Sequence, residues 1–132
     1  MHKLPRLVAA ALALALWALS SLAAEPPSVD VAAAREALGA GRAVLIDIRE
    51  PDEQALGIAP GARRLPLSQL SSRLAEIPRD ADQPVLLICR TQNRSGMLAL
   101  MLRAQGYGNV SVVDGGMSEW QRRGFATVTP PK

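Results

Sequence analysis

The stretch PVLLICRTQNRSGMLALMLRAQG, Pro84 to Gly106, decides the expected fold. Its first five residues are apolar, which is typical of a strand buried on both faces of a sheet. From Ser95 to Gly106 the sequence is rich in helix-forming residues, which predicts a helix that is buried on most sides. The residues from Cys89 to Arg94 form the loop between them. A strand, a tight loop and a helix in this order are the repeating unit of a parallel sheet.

The rest of the chain alternates in the same way between short apolar runs and helix-like segments. The pattern predicts, in chain order, helix 31–38, strand 43–47, helical turn 52–56, strand 64–66, helix 67–77, strand 84–88, helix 95–106, strand 109–114 and a short helix within 115–124. Asp30 is the expected N-cap of the first helix. This alternation predicts a single α/β domain with a mostly parallel central sheet and helices on both faces. In such folds ligands bind outside the carboxyl ends of the strands, where Cys89 is expected to lie.

Residues 1–23 have the three-part pattern of a secretory signal. Lys3 and Arg6 precede an apolar run of about 16 residues from Leu7 to Leu22, and small residues follow. The run is short for a membrane span, which needs roughly 20 apolar residues. We therefore expect cleavage near Ala23/Ala24 and a periplasmic or secreted protein, with an uncleaved N-terminal anchor as the alternative. The remaining chain divides into a linker at 24–28, a domain at 29–126 and an irregular tail at 127–132.

The composition of the processed chain excludes several classes of function. The sequence has 15 Lys and Arg against 12 Asp and Glu, and losing Lys3 and Arg6 leaves 13 against 12. This near-neutral balance gives no reason to expect nucleic acid or stable membrane association. The one histidine, His2, lies in the signal, which excludes a Cys-His dyad, a Ser-His-Asp triad and nearly every zinc site. Because Cys89 is the only cysteine, no internal disulfide can form.

The loop from Cys89 to Arg94 has the features of an anion-binding cradle. Successive backbone amides of a tight turn can converge on one point, and the N-terminus of the next helix adds about half a positive charge. These potentials, reinforced by Arg90 and Arg94, favour the thiolate form of a cysteine. Ser95 is expected to cap the helix with its hydroxyl. The alternative interpretation is a buried cysteine at a strand end, beside arginines that merely face solvent.

Four short motifs follow one another along the chain. They are DIREPDE at 47–53, GIAPGA at 57–62, CRTQNRS at 89–95 and VSVVDGGMSEW at 110–120. In this order they resemble the signatures of the rhodanese family of single-domain sulfurtransferases, and the resemblance extends over about residues 29–125. It implies a rhodanese-like fold in one domain.

The resemblance implies that sulfane sulfur is transferred in two steps. The Cys89 thiolate would take the outer sulfur of thiosulfate or of a persulfide donor, and the resulting persulfide would pass it to cyanide or a thiol. No metal or organic cofactor is implied. Arg94 is expected to orient the anionic donor and Arg90 to add positive field at the pocket mouth. The expected substrate-binding residues are Arg90, Thr91, Gln92, Asn93, Arg94 and Ser95.

Residues outside the loop are expected to support it rather than to react. Asp47, Arg49 and Glu53 are expected to form ion pairs that hold the first loop near the active site. Gly115 and Gly116 are expected to form a tight turn beside the cysteine loop.

Two positions depart from the family pattern. Ile58 stands where the family usually has histidine, and Gln92 stands where glycine is common. If position 92 required a positive φ, glutamine would be strained by about 1 kcal/mol; otherwise its side chain is expected to line the pocket rim. Both departures bear on the identity of the substrate more than on the reaction.

Two other functions are compatible with a cysteine loop of this kind. Cysteine phosphatases and arsenate reductases resemble it but place five residues between cysteine and arginine, whereas four separate Cys89 from Arg94. A slow or non-catalytic sulfur carrier would also keep Cys89 and would transfer sulfur to a partner protein. The carrier and the enzyme differ in their expected rates. Slow turnover of thiosulfate together with rapid transfer of sulfur to a protein acceptor would indicate a carrier.

Overall fold

The computed structural model describes residues 25–132, in which strands and helices alternate. The strands of this range are Ser28–Val29 (β1), Val44–Asp47 (β2), Arg63–Arg64 (β3), Val85–Ile88 (β4) and Val110–Val113 (β5). Its α-helices are Val31–Gly39 (α1), Pro51–Gln54 (α2), Leu70–Arg73 (α3), Asn93–Ala104 (α4) and Gly116–Arg122 (α5). Two 3-10 turns, Leu67–Gln69 and Leu74–Glu76, flank α3.

The predicted signal sequence at 1–23 lies outside the described residues. Within residues 25–132, no helix has both the length and the apolar character that crossing a membrane requires. The expectation of a cleaved leader therefore stays a prediction from the sequence.

The five strands of the described chain form one parallel sheet in the order β1-β5-β4-β2-β3. The central strand β4 pairs with β2 from Val85 opposite Val44 to Ile88 opposite Asp47. Because every strand runs in the same direction, all the carboxyl ends lie at one edge. The residues that follow β2 and β4 are therefore neighbours, and the predicted parallel α/β fold is confirmed.

Apolar side chains cover both faces of the sheet, as the unbroken apolar strands predict. On one face, Leu98, Ala99 and Leu102 of α4 pack with the sheet and with the segment that contains α3. On the other face, α1 and α5 pack together, with Trp120 fully buried between them and the sheet. The cysteine loop is thus held between two packed layers, since α4 and α5 lie on opposite faces.

The prediction of one continuous helix over 67–77 is wrong. The backbone leaves the helical region at Gln69 (φ −108°, ψ 2°) and at Arg73 (φ −125°, ψ 12°), so the segment breaks into short turns. Serine competes with helical hydrogen bonding, and here Ser68 gives its N–H and its hydroxyl to the carboxylate of Glu50. The apolar stripe is nevertheless confirmed, because the following residues all pack against the core: Leu67, Leu70, Leu74 and Ile77.

Both ends of the described chain make contacts that the sequence did not predict. Ser28, expected in the linker, begins β1 and pairs with Val112 of β5. In the tail, Val128 forms an isolated antiparallel bridge with Ile58, with N–H···O distances of 2.9 Å in both directions. The tail is otherwise irregular, as expected. Ile58, which is buried, is therefore paired through its backbone with the tail of its own chain.

Candidate active site

Cys89 lies directly after β4, at the carboxyl edge of the sheet. Its side chain is buried, with 1% of the residue exposed, and its Sγ lies 3.3 Å from the hydroxyl of Ser95. Ser95 is itself fully buried in the first turn of α4. The thiol is therefore buried at the base of the loop that follows it, within hydrogen-bond distance of a hydroxyl.

The loop after Cys89 presents a row of backbone amides that are free to bind an anion. Asn93 N–H has only a long contact of 3.5 Å, to the hydroxyl of Thr91. Within residues 25–132, five other amides of this segment donate to no protein group, namely those of Arg90, Thr91, Gln92, Arg94 and Ser95. Such a row at the start of a helix is the arrangement that binds anions.

The expected capping role of Ser95 is wrong, because α4 begins two residues earlier, at Asn93. The N-cap position belongs to Gln92, whose side chain makes no capping hydrogen bond. The Ser95 hydroxyl instead donates to the carbonyl oxygen of Gln92 at 3.2 Å while contacting Cys89 Sγ. It can therefore serve as a local donor to a negatively charged sulfur, at the cost of its bond to Gln92.

Gln92 adopts φ −149° and ψ 3°, so the strain considered for a positive φ is absent at this position. Its side chain extends to the double-glycine turn, where Oε1 accepts a hydrogen bond from the N–H of Gly115 at 2.8 Å. This contact joins residues 23 positions apart in the sequence. Glutamine at this position thus adds a contact to the loop.

Arg94 forms a two-pronged ion pair with Glu53 of α2. The distances from Nη1 and Nη2 to the two carboxylate oxygens are 2.8 and 2.7 Å. The hydrogen bonds from Arg94 lower the pKa of Glu53 to about 2, against the opposing effect of burial. The hydrogen bonds to Glu53 in turn raise the pKa of Arg94. An anionic donor that binds Arg94 therefore shares this guanidinium with a carboxylate.

A second ion pair, between Asp47 and Arg49, is buried at the end of β2. Arg49 Nη2 lies 2.8 Å from Asp47 Oδ2 and also donates to the carbonyl of Gly57 at 2.7 Å. The side chain of Gln54 donates to the carbonyl of Asp47 at 2.9 Å. These bonds hold the first loop, and with it Glu53, against the cysteine loop.

The double glycine lies against the backbone of the cysteine loop. Gly115 and Gly116 have φ 75° and 56°, and a Cβ at Gly116 would collide with the carbonyl oxygens of Thr91 and Cys89. Just beyond, Met117 N–H donates to the Cys89 carbonyl at 2.8 Å, and Ser118 N–H donates to the Arg90 carbonyl at 2.9 Å. The N-terminus of α5 therefore holds the loop through its main chain. The sequence predicted the turn but not these hydrogen bonds.

A cavity of about 200 Å³ opens beside the loop. Its lining combines two arginines, one carboxylate, two apolar residues and two neutral polar residues: Arg49, Glu53, Leu56, Arg90, Met117, Ser118 and Gln121. Leu56 stands at its rim with 85% of the residue exposed. No sequence pattern pointed to Leu56 or Gln121, which lie outside the four motifs, and Ser118 lies within the last motif without having been singled out.

The fold and the loop together define a class of protein: a parallel α/β domain that buries a cysteine at the end of its central strand, directly before a loop whose backbone amides are free to bind an anion. Residues 30–123 match the family model of the rhodanese-like domain. The chain belongs to this family.

Three relatives show the extent of the similarity. A sulfurtransferase of Allochromatium vinosum is 41% identical over 87 residues, which cover 66% of this chain and 79% of the relative. The structure of the human single domain sulfurtransferase TSTD1 has a TM-score of 0.63 at 28% identity, covering 74% of this chain and 96% of that one. The polysulfide-sulfur transferase homodimer of Wolinella succinogenes has a TM-score of 0.66 at 25% identity, covering 86% and 88%.

Proposed function

We propose that this protein is a sulfurtransferase that moves sulfane sulfur from a small anionic donor to a thiophilic acceptor through a persulfide on Cys89. The observation that carries the proposal is that Cys89 is buried at the start of a loop in which the amides of Arg90, Thr91 and Gln92 donate to no group of the described residues, directly before α4. The family and the relatives named as sulfurtransferases support it.

The first step is attack by the Cys89 thiolate on the outer sulfur of thiosulfate. The new S–S bond forms as the bond between the two donor sulfurs breaks, and sulfite leaves with that electron pair. The loop amides stabilise the negative charge on the sulfur before and after attack. Ser95 Oγ, at 3.3 Å from Sγ, supplies one further donor.

The second step returns the thiolate. The acceptor, cyanide or a thiolate, attacks the outer sulfur of the persulfide, and the electron pair of the breaking S–S bond returns to Cys89. Arg90 and Arg94 lie one and five positions after Cys89 and supply positive charge at the loop. Arg94 is the donor-orienting residue in this scheme, and Glu53 holds its guanidinium in place.

The mass of the protein after exposure to thiosulfate tests this proposal. A stoichiometric amount of thiosulfate is expected to add one sulfur, about 32 Da, and cyanide is expected to remove it with release of thiocyanate. Cys89→Ser and Cys89→Ala serve as controls and are expected to show neither change. Continued turnover of thiosulfate by Cys89→Ser would remove Cys89 from the reaction.

We also propose that the protein acts in the periplasm or outside the cell, from the signal-like pattern of residues 1–23 alone. N-terminal sequencing of protein recovered from the periplasmic fraction is expected to begin near Ala24. Protein retained in the cytoplasm with Met1 intact would contradict this location and leave the proposed chemistry unaffected.

A further inference from the structure

Three hydrogen bonds join the cysteine loop to the beginning of α5. Two of them are made to backbone carbonyls of the loop, by the amides of Met117 and Ser118. The third runs from Gly115 N–H to Oε1 of Gln92 at 2.8 Å. Among these three bonds, only the third depends on a side chain of the loop.

The backbone of Gln92 connects this third bond to the cysteine. Its carbonyl oxygen accepts from Gly96 N–H at 2.7 Å and from the Ser95 hydroxyl at 3.2 Å. That hydroxyl lies 3.3 Å from Cys89 Sγ. A continuous series of contacts therefore leads from Gly115 through Gln92 and Ser95 to the sulfur.

We propose that Gln92 is a positioning residue, which ties the cysteine loop to α5 and keeps the loop closed over Cys89. This inference rests on the proposed function, because it concerns the same cysteine. Residues Thr91, Gln92 and Asn93 are exposed while Cys89 is buried, so the loop is the layer that separates the thiol from solvent. Removing the tether lets the loop open more often and loosens the amides that bind the donor.

The test compares Gln92→Met, which keeps the length of the side chain but removes the acceptor oxygen, with Gln92→Glu, which keeps an acceptor oxygen. Gln105→Ala is the control, because Gln105 is exposed at the far end of α4. The readout is the rate at which iodoacetamide modifies Cys89 over a range of pH. The limiting rate at high pH, where every Cys89 is a thiolate, reports access to the sulfur separately from its ionisation.

The tether is a neutral hydrogen bond, so its loss is expected to raise the limiting rate of Gln92→Met about fivefold. Gln92→Glu and Gln105→Ala are expected to stay within about twofold of the wild-type rate. In sulfur transfer, Gln92→Met is expected to raise the KM for thiosulfate about fivefold with little change in kcat, because the donor binds to the loosened amides.

A wild-type limiting rate in folded Gln92→Met would overturn the proposal. An equal rise in Gln105→Ala, or no recovery in Gln92→Glu, would overturn it as well, because the effect would then not come from the acceptor oxygen. The alkylation comparison needs no sulfur chemistry. Absence of persulfide formation in the wild-type protein would therefore defeat the proposed function, while the alkylation rates would still decide the role of Gln92.

Discussion

Replacing Gly116 with alanine tests the contact between the double glycine and the cysteine loop. At φ 56° an alanine costs about 1–2 kcal/mol. Its Cβ would also overlap the carbonyl oxygens of Thr91 and Cys89, so the loop must move away from α5. That movement breaks the hydrogen bonds from Met117 and Ser118, worth about 1 kcal/mol each. The expected loss of stability is therefore about 3–4 kcal/mol.

Gly41→Ala is the matched control, because Gly41 has φ 69° with no atom within 4 Å of a built Cβ. It is expected to lose only the backbone part, about 1–2 kcal/mol. Urea unfolding followed by circular dichroism measures both variants, and a domain with about 5–15 kcal/mol of stability remains largely folded in each. Folded Gly116→Ala is expected to lose at least about tenfold in sulfur transfer. Equal losses of stability and activity in the two variants would refute the proposed contact.

Three further substitutions test the charged groups around the loop. Because the pKa of folded Glu53 is about 2, below its ordinary value of 4.5, its stabilising effect is present above about pH 4.5 and is lost as the pH falls towards 2. Urea midpoints of wild type and Glu53→Gln should therefore converge at low pH, and a constant difference would contradict the pair. Asp47→Asn removes the negative charge that pairs with the buried Arg49, so it should lower the free energy of unfolding by about 3–5 kcal/mol. A loss below about 1 kcal/mol would show that Arg49 finds another partner. Arg94→Ala should reduce kcat/KM for thiosulfate at least about tenfold. Arg94→Lys should recover only part of this kcat/KM, because lysine cannot bind an anion bidentately. Unchanged kinetics in Arg94→Ala would remove Arg94 from donor binding.

The sequence predicted the sheet and the place of Cys89 because both depend on local patterns. The apolar runs at β2, β4 and β5 are strong signals, and the strand-loop-helix order places Cys89 at the carboxyl edge. The two-residue strand β1 is too short to show a pattern, and its pairing with β5 is a tertiary contact. The prediction of a continuous helix over 67–77 was wrong. A leucine stripe indicates which side of a segment is buried, but it does not indicate whether the backbone is helical throughout.

The side-chain partners of the site were less accessible to sequence reasoning. Ion pairing of Glu53 was expected, but nothing local identifies a partner 41 positions away, Arg94. The cap expected at Ser95 was wrong because helix α4 starts at Asn93, and helix ends are poorly determined by composition. A two-residue shift in that boundary moves Ser95 from the cap position into the first turn, where its hydroxyl contacts the sulfur.

The hydrogen bonds from α5 also fix the orientation of two peptide planes. In a trans peptide the carbonyl of one residue and the N–H of the next point in opposite directions. Because Met117 and Ser118 hold the carbonyls of Cys89 and Arg90, the N–H groups of Arg90 and Thr91 must face away from α5. The polarity of the loop is thus imposed by a helix from the other face of the sheet, independently of the loop's side chains. Residues such as Thr91 can therefore vary to suit a new substrate while the direction of the amides is retained.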